Sequence, residues 1–311
     1  MQEQTRPKVA ILLCTFHGQH YLADQLESFA KQSYSNWEVW ASDDGSQDDT
    51  HAILVDYQNR WANKCLSIHY GPKEGFVANF LSLTCNTTIE ADFYAYSDQD
   101  DIWEPDKLER AISRLKTVPE NTAALYCGRT CLVDKNNNEI GLSPLFIRSP
   151  GFANALIQNI GGGNTMVFNK AARELMLDVG ENIDVVAHDW WAYMLVSGCG
   201  GKVFYDSYPS LRYRQHDNNL VGSNVTWKAR FIRVRMLLKG RFRSWNDLNI
   251  EVLQSIEEKL TPENRSILSK FVEVRTSKLI PRLVGLKKSG VYRQTLLGNL
   301  GLILAAILNK L

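Results

Sequence analysis

One stretch of this sequence joins a buried-strand pattern to a cluster of acids: Ala91-Asp92-Phe93-Tyr94-Ala95-Tyr96-Ser97-Asp98-Gln99-Asp100-Asp101-Ile102-Trp103. Its apolar part predicts a strand of a parallel sheet, and the carboxylates follow where such a sheet opens to bind ligands. Like charges this close repel one another, so a divalent cation shared by Asp98 and Asp100 would stabilise the cluster. The motif is equally compatible with a solvated acidic turn before a helix, with Asp101 or Asp106 as the cap.

The segments around this stretch alternate between strand and helix patterns. Continuous apolar runs predict buried strands, and amphipathic spacing predicts the helices between them. The predicted strands are Val9–Cys14, Trp37–Ala41, Leu66–Tyr70 and Ala123–Leu132, and the predicted helices are His20–Lys31, His51–Trp61, one opened by Gly75-Phe76, and Ile183–Ser197. This alternation predicts an α/β fold with a doubly wound, mostly parallel sheet, followed by a C-terminal helical extension.

The charge of the chain is divided unevenly along its length. Its 311 residues have a net charge of +1, yet residues 1–224 carry 18 Lys and Arg against 28 Asp and Glu, a balance of −10. Residues 225–311 carry 17 against 6, a balance of +11. This switch predicts a catalytic domain over residues 1–224 and a basic helical region over residues 225–311 that meets an anionic surface.

Cysteine usage and the N-terminal residues predict a cytoplasmic protein. The six cysteines include no CxxC pair, so we expect reduced thiols and no structural zinc site. The segment Met1–Lys8 is polar and lacks the apolar core of a signal peptide. With 44% hydrophobic and 22% charged residues, the composition is that of an ordinary globular protein rather than a disordered one.

Two further polar clusters accompany predicted strands. Asp43 and Asp44 stand at the end of the second strand, where a carboxylate is able to accept hydrogen bonds from a base N–H or a ribose hydroxyl. The same Asp-Asp-Gly-Ser run is also a common turn, in which the Asp side chains bind local backbone. Gly161-Gly162-Gly163 allows backbone to approach a ligand closely, and it equally suits a flexible turn.

A third cluster, His188-Asp189-Trp190-Trp191, opens an apolar helix. A helix N-terminus favours the ionised carboxylate, so Asp189 could take the proton of an attacking hydroxyl, with helix capping as the structural alternative. The two tryptophans offer flat faces for a sugar or pack the core. Later in the chain, His216 could be a third metal ligand and Arg214 could neutralise phosphate charge, although a lone loop histidine is more often a surface residue.

Taken in order, these clusters resemble the family 2 glycosyltransferases of GT-A fold. The order is strand, Asp-Asp-Gly-Ser, Asp-x-Asp, Gly-rich loop, His-Asp and late histidine, and it extends from Val9 to about Gly222. The runs most similar to the bacterial rhamnosyltransferase branch are Asp98-Gln99-Asp100-Asp101-Ile102-Trp103, His188-Asp189-Trp190-Trp191 and Tyr213-Arg214-Gln215-His216-Asp217-Asn218-Asn219-Leu220-Val221-Gly222. The resemblance implies a Rossmann-like GT-A sheet and transfer of a sugar, L-rhamnose from TDP-rhamnose, to a cell-surface glycan or lipid-linked acceptor.

The resemblance also implies roles for particular residues. Nucleotide-sugar binding would involve Thr15, Phe16, Asp43, Asp44, Gly75, Asn79, Asp98 and Arg214. A divalent metal, Mg²⁺ or Mn²⁺, would be held on the diphosphate by Asp98, Asp100 and His216. The inverting general base would be Asp189. The acceptor side would be formed by Gly162, Gly163, Asn164, His188 and Trp190, and His188 stands where relatives often carry an acid.

Two other functions compete with glycosyl transfer. A nucleotidyltransferase could share the sheet and the metal acids, but it would need a Gly-rich, basic phosphate loop after the first strand. Cys14-Thr15-Phe16-His17-Gly18 follows that strand instead. A noncatalytic nucleotide-sugar-binding module would not require both the Asp-x-Asp pair and the proposed base.

The basic region carries an apolar stripe at helical spacing, formed by Trp227, Phe231, Val234, Leu238, Phe242 and Trp245. Flanking Lys and Arg make such a helix suitable for an anionic membrane surface, with packing on the acidic domain as the alternative. No recognition motif for nucleic acid accompanies these charges. Leu300–Leu308 is too short to span a bilayer and is compatible with partial insertion or with a homodimer. We therefore expect peripheral attachment to the inner face of the cell membrane.

Overall fold

The computed structural model describes residues 6–61, 66–216 and 240–311. Its strands are β1 Val9–Thr15, β2 Trp37–Asp43, β3 Leu66–Tyr70, β4 Phe93–Ser97, β5 Ile102–Trp103, β6 Ala124–Val133, β7 Glu139–Leu142, β8 Val167–Asn169 and β9 Lys202–Arg214. Its helices are α1 Leu22–Ala30, α2 Thr50–Arg60, α3 Phe76–Cys85, α4 Lys107–Leu115, α5 Phe152–Ala155, α6 Lys170–Val179, α7 His188–Gly198, α8 Arg241–Ser255, α9 Pro262–Thr276, α10 Leu279–Ser289 and α11 Leu296–Ile307. Short 3₁₀ turns lie at Gly163–Thr165 and Glu257–Lys259.

All these strands join one mixed sheet in the order β3-β2-β1-β4-β8-β6-β9-β5, with β7 paired to β6. Strands β3, β2, β1 and β4 are mutually parallel, whereas β8 runs antiparallel to both β4 and β6. The pairing sets Thr15 opposite Asp43 and Leu13 opposite Ser97. The carboxyl ends of β1, β2 and β4 therefore meet at one edge of the sheet, and the acids after β4 emerge there.

Two hydrophobic cores lie on the two faces of the sheet, because successive strand residues point to opposite sides. Val9, Ile11 and Leu13 of β1 pack in one core with side chains of α1, α2 and α4. Ala10, Leu12 and Cys14 belong to the other core, which contains side chains of α3, α6 and α7. The sequence prediction of an α/β fold with helices on both sides of a sheet is confirmed.

The C-terminal helices add to the second of these cores. Leu253 of α8, Phe271 of α9 and Leu302 of α11 are buried in the same cluster as Trp191 of α7. The predicted boundary near residue 224 and the stripe residues Trp227 to Leu238 lie outside the described residues. The last two stripe residues, Phe242 and Trp245, are partly buried against this core, so the packing alternative describes them.

The helix predicted over Ile183–Ser197 begins later than expected, at His188. Ala187 has extended backbone angles, and the Val186 N–H donates to the Asn249 side chain of α8 at 3.4 Å. That contact joins segments far apart in the chain, which local helical spacing does not reveal. The late start sets His188 and Asp189 in the first turn of α7.

Among the described helices, none combines the length and the apolar composition that crossing a bilayer requires. The five described cysteines, Cys14, Cys85, Cys127, Cys131 and Cys199, are all free thiols.

Candidate active site

Thr15 and Asp43 meet at the carboxyl ends of β1 and β2. The Thr15 hydroxyl donates to Asp43 Oδ1 at 2.9 Å, and Ser46 donates its N–H to Oδ2 at 2.9 Å and its hydroxyl to Oδ1 at 2.6 Å. The Asp43 carboxylate is buried, and these bonds hold the Asp-Asp-Gly-Ser turn in place. The turn alternative therefore describes this motif, which lies at the carboxyl ends of the parallel strands, and nucleotide binding by Asp43 stays a prediction.

Asp44 organises the loop between β3 and α3. Its Oδ1 accepts the Lys73 N–H at 2.6 Å, and its Oδ2 accepts the Gly75 N–H at 2.9 Å. Gly75 has φ +92°, a left-handed conformation that glycine adopts without steric cost. A Cβ on Gly71 would lie 2.7 Å from Asp44 Oδ1, so this loop packs directly on the carboxylate.

Asn79 fastens α3 to the end of β2. Its Nδ2 donates to the Ser42 carbonyl at 3.0 Å, and its Oδ1 accepts the Ser42 hydroxyl at 2.5 Å. The side chain is 1% exposed. Asn79 and Gly75 are thus brought to the predicted nucleotide pocket, where Asn79 supports the frame of the pocket rather than its open surface.

Gln99 clamps the first residue after β1 to the acidic loop. Its Oε1 accepts the Phe16 N–H and its Nε2 donates to the Phe16 carbonyl, each at 2.8 Å. The Phe16 ring remains 53% exposed beside this clamp and is available to stack on a planar ligand. Sequence reasoning did not assign Gln99 a role, although its place between Asp98 and Asp100 was a signal that this side chain lies at the site.

Asp98 and Asp100 lie together after β4. Within the described chain no group donates a hydrogen bond to the Asp98 carboxylate, and burial together with the negative charges of Asp100 and Asp189 raises the pKa of Asp98. Asp100 Oδ2 is 2.8 Å from Nε2 of His216. His216 therefore contacts the acidic loop through Asp100, and its role as a third metal ligand stays a prediction.

The two carboxylates fit a divalent cation shared with a diphosphate. The described residues contain no group of three or more His, Cys, Asp or Glu side chains arranged to hold a metal by themselves. Mg²⁺ is usually bound by one or two carboxylates, with substrate phosphates and water as its other ligands. Asp98, half-buried and without a hydrogen-bond donor, has the oxygen chemistry and the unfavourable charge that such a cation would relieve.

Asp101 fixes the acidic loop to the protein interior through buried hydrogen bonds. It is fully buried, with Oδ1 accepting the Arg214 N–H at 3.0 Å and Oδ2 accepting a hydrogen bond from Asn164 Nδ2. Asn164 is therefore part of this buried support rather than an open contact. Near Asp101, the Lys107 ammonium lies 3.4 Å from the centre of the Trp103 ring, and burial lowers the pKa of Lys107 to about 7.

The Arg214 guanidinium is hydrogen-bonded to other groups of the protein. It donates to the carbonyls of Asp100 and Lys135, each at 3.0 Å, and to Asp24 Oδ2 at 2.9 Å. It is 2% exposed and stacks over the Tyr21 ring. Its positive charge lies next to the acidic loop, so Arg214 fixes the position of that loop and contributes to the electrostatics of the site.

Asp189 is held by two backbone N–H groups at the start of α7. Oδ2 accepts the Gly163 N–H at 2.9 Å, and Oδ1 accepts the Trp190 N–H at 2.6 Å. Burial raises the pKa of Asp189 to about 6, against the lowering effect of these hydrogen bonds. A carboxylate with such a pKa is mostly ionised at neutral pH and more basic than a solvated aspartate, which suits a general base.

His188 is a buried, neutral histidine in an aromatic environment. Its ring stacks on Phe80 at a centroid distance of 3.8 Å and lies edge-on to Tyr96 at 4.8 Å. Burial lowers the pKa of His188 to about 3, and neither ring nitrogen has a hydrogen-bond partner among the described groups. Gly163 packs against it so closely that a Cβ there would lie 2.4 Å from His188 Nε2.

Trp190 belongs to the core. It is 6% exposed, its indole N–H donates to the Ala155 carbonyl at 2.6 Å, and its ring lies edge-on to Trp245. Trp191 is buried as well. Of the two alternatives for these side chains, core packing describes both. Gly162 lies in the loop that carries Gly163, and its carbonyl accepts the Thr165 hydroxyl at 2.8 Å.

Comparison with known proteins identifies the family of this chain. The family model of glycosyl transferase family 2 matches residues 10–176, more than half of the chain. The dTDP-rhamnosyl transferase RfbG of Shigella flexneri is 28% identical over 247 residues, which cover 74% of this chain and 81% of that protein. The Escherichia coli UDP-Glc:alpha-D-GlcNAc-diphosphoundecaprenol beta-1,3-glucosyltransferase WfgD is 29% identical over 132 residues, 42% of this chain and 48% of that protein.

Solved structures agree with the family match at the level of the fold. Residues 1–349 of S. aureus TarS in complex with UDP-GlcNAc superpose with a TM-score of 0.56 at 14% identity, covering 91% of this chain and 90% of that one. The Pyrobaculum calidifontis mannosyltransferase PcManGT with GDP-Man and Mn²⁺ gives a TM-score of 0.54 at 15% identity, covering 92% and 74%. The GT-A fold expected from the sequence is confirmed, and the chain belongs to glycosyl transferase family 2.

Proposed function

We propose that this protein is an inverting, metal-dependent glycosyltransferase that moves L-rhamnose from TDP-rhamnose to a bacterial cell-surface glycan or lipid-linked acceptor. One observation carries the proposal. The adjacent residues Gly163 and Asn164 connect the two halves of the site, because the Gly163 N–H binds Asp189 and the Asn164 side chain binds Asp101 of the acidic loop. A candidate base and a candidate diphosphate site are thereby held in one rigid unit.

The proposed reaction is a single in-line displacement at the anomeric carbon. The bond from that carbon to the diphosphate oxygen breaks while a bond to the acceptor oxygen forms on the opposite face. Asp189 takes the acceptor proton, and the nucleoside diphosphate departs with the bonding electron pair. A divalent cation bound at Asp98 and Asp100 would supply Lewis-acid stabilisation to the departing diphosphate. A β-L-rhamnosyl nucleotide would give an α-L-rhamnoside.

The nucleotide is proposed to lie along the edge formed by β1 and β2. The exposed Phe16 ring is suited to stack against the base. Asp43 and Asp44 already accept hydrogen bonds from the chain, and their remaining lone pairs are proposed to accept from a base imide or a ribose hydroxyl. Gly75, Asn79 and Thr15 then act by holding these groups in position.

The donor assignment is supported by similarity. RfbG, whose name states dTDP-rhamnosyl transfer, is similar to this chain over most of both proteins. WfgD, a glucosyltransferase that uses UDP-Glc, matches a shorter segment. We therefore rank TDP-rhamnose first and UDP-hexoses second as donors.

The acceptor is proposed to be carried at the cytoplasmic face of the cell membrane. The name of WfgD includes a diphosphoundecaprenol acceptor, which is a lipid-linked substrate. The basic balance of residues 225–311 favours an anionic membrane surface as a partner. On this proposal residues 1–224 form the catalytic domain and residues 225–311 attach it peripherally to the membrane.

Thermal stabilisation by a panel of nucleotide sugars tests the donor site. The wild-type protein is measured with TDP-rhamnose, UDP-glucose and GDP-mannose in Mn²⁺, Mg²⁺ or EDTA. We expect a metal-dependent rise in Tm that is largest for TDP-rhamnose, because ligand binding stabilises the folded state by mass action. Asp98→Asn should lose the metal-dependent part of this rise. Asp56→Asn, which changes an exposed acid of α2 (63% exposed side chain), should retain it.

The outcomes of this panel separate the competing functions. Selectivity for a UDP-sugar would keep the mechanism and overturn the rhamnose assignment. Equal responses of wild type and Asp98→Asn in Mn²⁺ and in EDTA would overturn the metal site. A donor response in this panel, together with no product from any acceptor fraction in a separate turnover assay, would favour a noncatalytic binding module.

A further inference from the structure

Helix α11 turns its apolar side away from the protein. Its exposed apolar residues recur at helical spacing, and they are Leu296, Leu297, Leu300, Ile303, Leu304, Ile307 and, at the C-cap, Leu308. These side chains are between 39% and 77% exposed, whereas the buried side carries Leu302, Ala305 and Ala306. A surface helix normally has the opposite arrangement, and a contiguous exposed apolar face marks an interaction site.

The preceding helix, α10, continues this surface with a basic end. Leu279, Ile280 and Val284 are exposed, and Lys287 and Lys288 follow Ile280 and Val284 at helical spacing on the same side. Buried Arg282 of α10 donates to the Ala306 carbonyl of α11 at 2.9 Å. The two helices therefore pack against each other. We group their exposed residues under one name, the α10–α11 face.

The charge around this face selects the kind of partner. Residues 274–311 contain seven Lys and Arg and no Asp or Glu. Lys278, Lys287 and Lys288 are exposed, whereas Arg282 is buried and Arg275 is paired with Asp247 of α8. A second copy of this chain would bring like charges together, which is unfavourable at an interface. An anionic lipid surface instead offers a complement to both properties, with headgroup phosphates for the lysines and acyl chains for the leucines and isoleucines.

We propose that the α10–α11 face docks this enzyme on an anionic bilayer, with α11 lying in the plane of the interface. The proposal deepens the membrane attachment given under the proposed function and rests on it, but it does not rest on the donor or on the chemistry. It differs in location from the predicted apolar stripe, since Phe242 and Trp245 of that stripe pack on the core. It extends the partial insertion that the sequence suggested for Leu300–Leu308. No described helix is suited to span the bilayer, which agrees with an in-plane arrangement.

Vesicle co-sedimentation of the full chain tests this proposal. We expect binding to vesicles of phosphatidylcholine with phosphatidylglycerol, and much weaker binding to phosphatidylcholine alone. The double variant Leu300→Gln/Leu304→Gln should bind about tenfold more weakly, because it removes apolar side chains from the interface. Lys287→Glu/Lys288→Glu should weaken binding by about fivefold or more per side chain and reduce its salt dependence. Ile147→Gln, at a loop residue that is 84% exposed, is the matched control and should bind normally.

The variants also distinguish this proposal from its alternatives. All substituted positions are exposed, so an unchanged Tm is expected and shows that folding is intact. Equal vesicle binding by wild type and both double variants would overturn the docking face. A wild-type dimer that Leu300→Gln/Leu304→Gln dissociates, without anionic-vesicle binding, would assign the face to a second copy and overturn the proposal. The donor-induced rise in Tm should be the same in wild type and in all three variants. If wild type shows no such rise, the proposed donor is overturned and the docking face is not.

Discussion

At the scale of single residues, Asp189 combines two opposing influences. Two backbone N–H groups bind its carboxylate, while burial disfavours the charged form and raises the pKa to about 6. A base of this kind is both ionised at neutral pH and basic enough to share a proton in the transition state. Its geometry is set by the first turn of α7 and by the Gly163 loop.

Replacing Asp189 by Asn should remove the base and keep the fold. The amide is nearly isosteric but cannot take a proton, so we expect turnover to fall by about 10²–10⁴-fold with donor stabilisation largely unchanged. Asp184→Asn changes an exposed acid in the segment before α7 and serves as the control. Wild-type-like turnover in a well-folded Asp189→Asn variant would contradict the assignment.

The pH profile of kcat/KM should show the same group. Because the pKa of Asp189 is raised to about 6, the base becomes protonated as the pH falls through that value. Activity should therefore be full above about pH 7 and decrease about tenfold per unit below pH 6. An acid limb near pH 4, the usual range of a solvated aspartate, would show that the ionising group is different.

Which residues gather at the site was predictable, while their individual contacts were not. Asp43, Asp98 and Asp189 follow strands or open a helix, and those positions are visible in local patterns. Gln99 is hydrogen-bonded to the Phe16 backbone, and Arg214 is hydrogen-bonded to Asp24. Both contacts join residues that are distant in sequence, so local patterns do not reveal them. Local sequence also did not separate the two alternatives for Trp190, which its contact with Ala155 decides.

At the scale of elements, the 3₁₀ turn at Gly163–Thr165 connects Asp189, the proposed base, to the acidic loop. It packs between β4, β6 and the start of α7. Local pattern predicted β1 and β4 well, because both are nearly continuous apolar runs. The apolar run Thr165–Phe168 indicates a strand where β8 lies, but local pattern does not reveal that this three-residue strand is antiparallel to its neighbours.

Gly163→Ala should disturb this connection. The added Cβ would lie 2.4 Å from His188 Nε2, and the His188 ring is fixed against Phe80. We expect a loss of about 1–3 kcal/mol in the free energy of unfolding and a larger loss of turnover than of donor binding. Gly151→Ala, where a Cβ would meet no atom within 4 Å, is the control. Equal stability and turnover of both variants would contradict the close packing described for Gly163.

At the scale of the whole molecule, the C-terminal helices share a core with the catalytic sheet. Phe271 of α9 is fully buried in the cluster that contains Trp191. The charge switch near residue 224 predicted a separate region, but charge patterns do not report which apolar faces meet. Because the C-terminal helices share one of the two cores with the sheet, we expect both parts to unfold together.

Phe271→Ala should therefore destabilise the whole chain. Loss of a buried aromatic side chain costs about 3–5 kcal/mol, and it should lower the midpoint of one cooperative transition in denaturant. Tryptophan fluorescence and circular dichroism should give coincident curves. Tyr70→Ala, at an 80% exposed position, is the control and should change the midpoint little. Two separate transitions, with only one shifted by Phe271→Ala, would show that the C-terminal helices fold independently.

Release of nucleoside diphosphate from nucleotide sugars tests the central claim most directly. Wild-type protein is incubated with TDP-rhamnose or a UDP-sugar, with bacterial glycolipid extract as acceptor, in Mn²⁺, Mg²⁺ or EDTA. We predict release of TDP from TDP-rhamnose that requires the metal and is lost in Asp189→Asn. Release of nucleoside monophosphate instead of diphosphate, or no release from any donor with any metal, would contradict the assignment as a glycosyltransferase with an Asp98/Asp100 metal site and an Asp189 base.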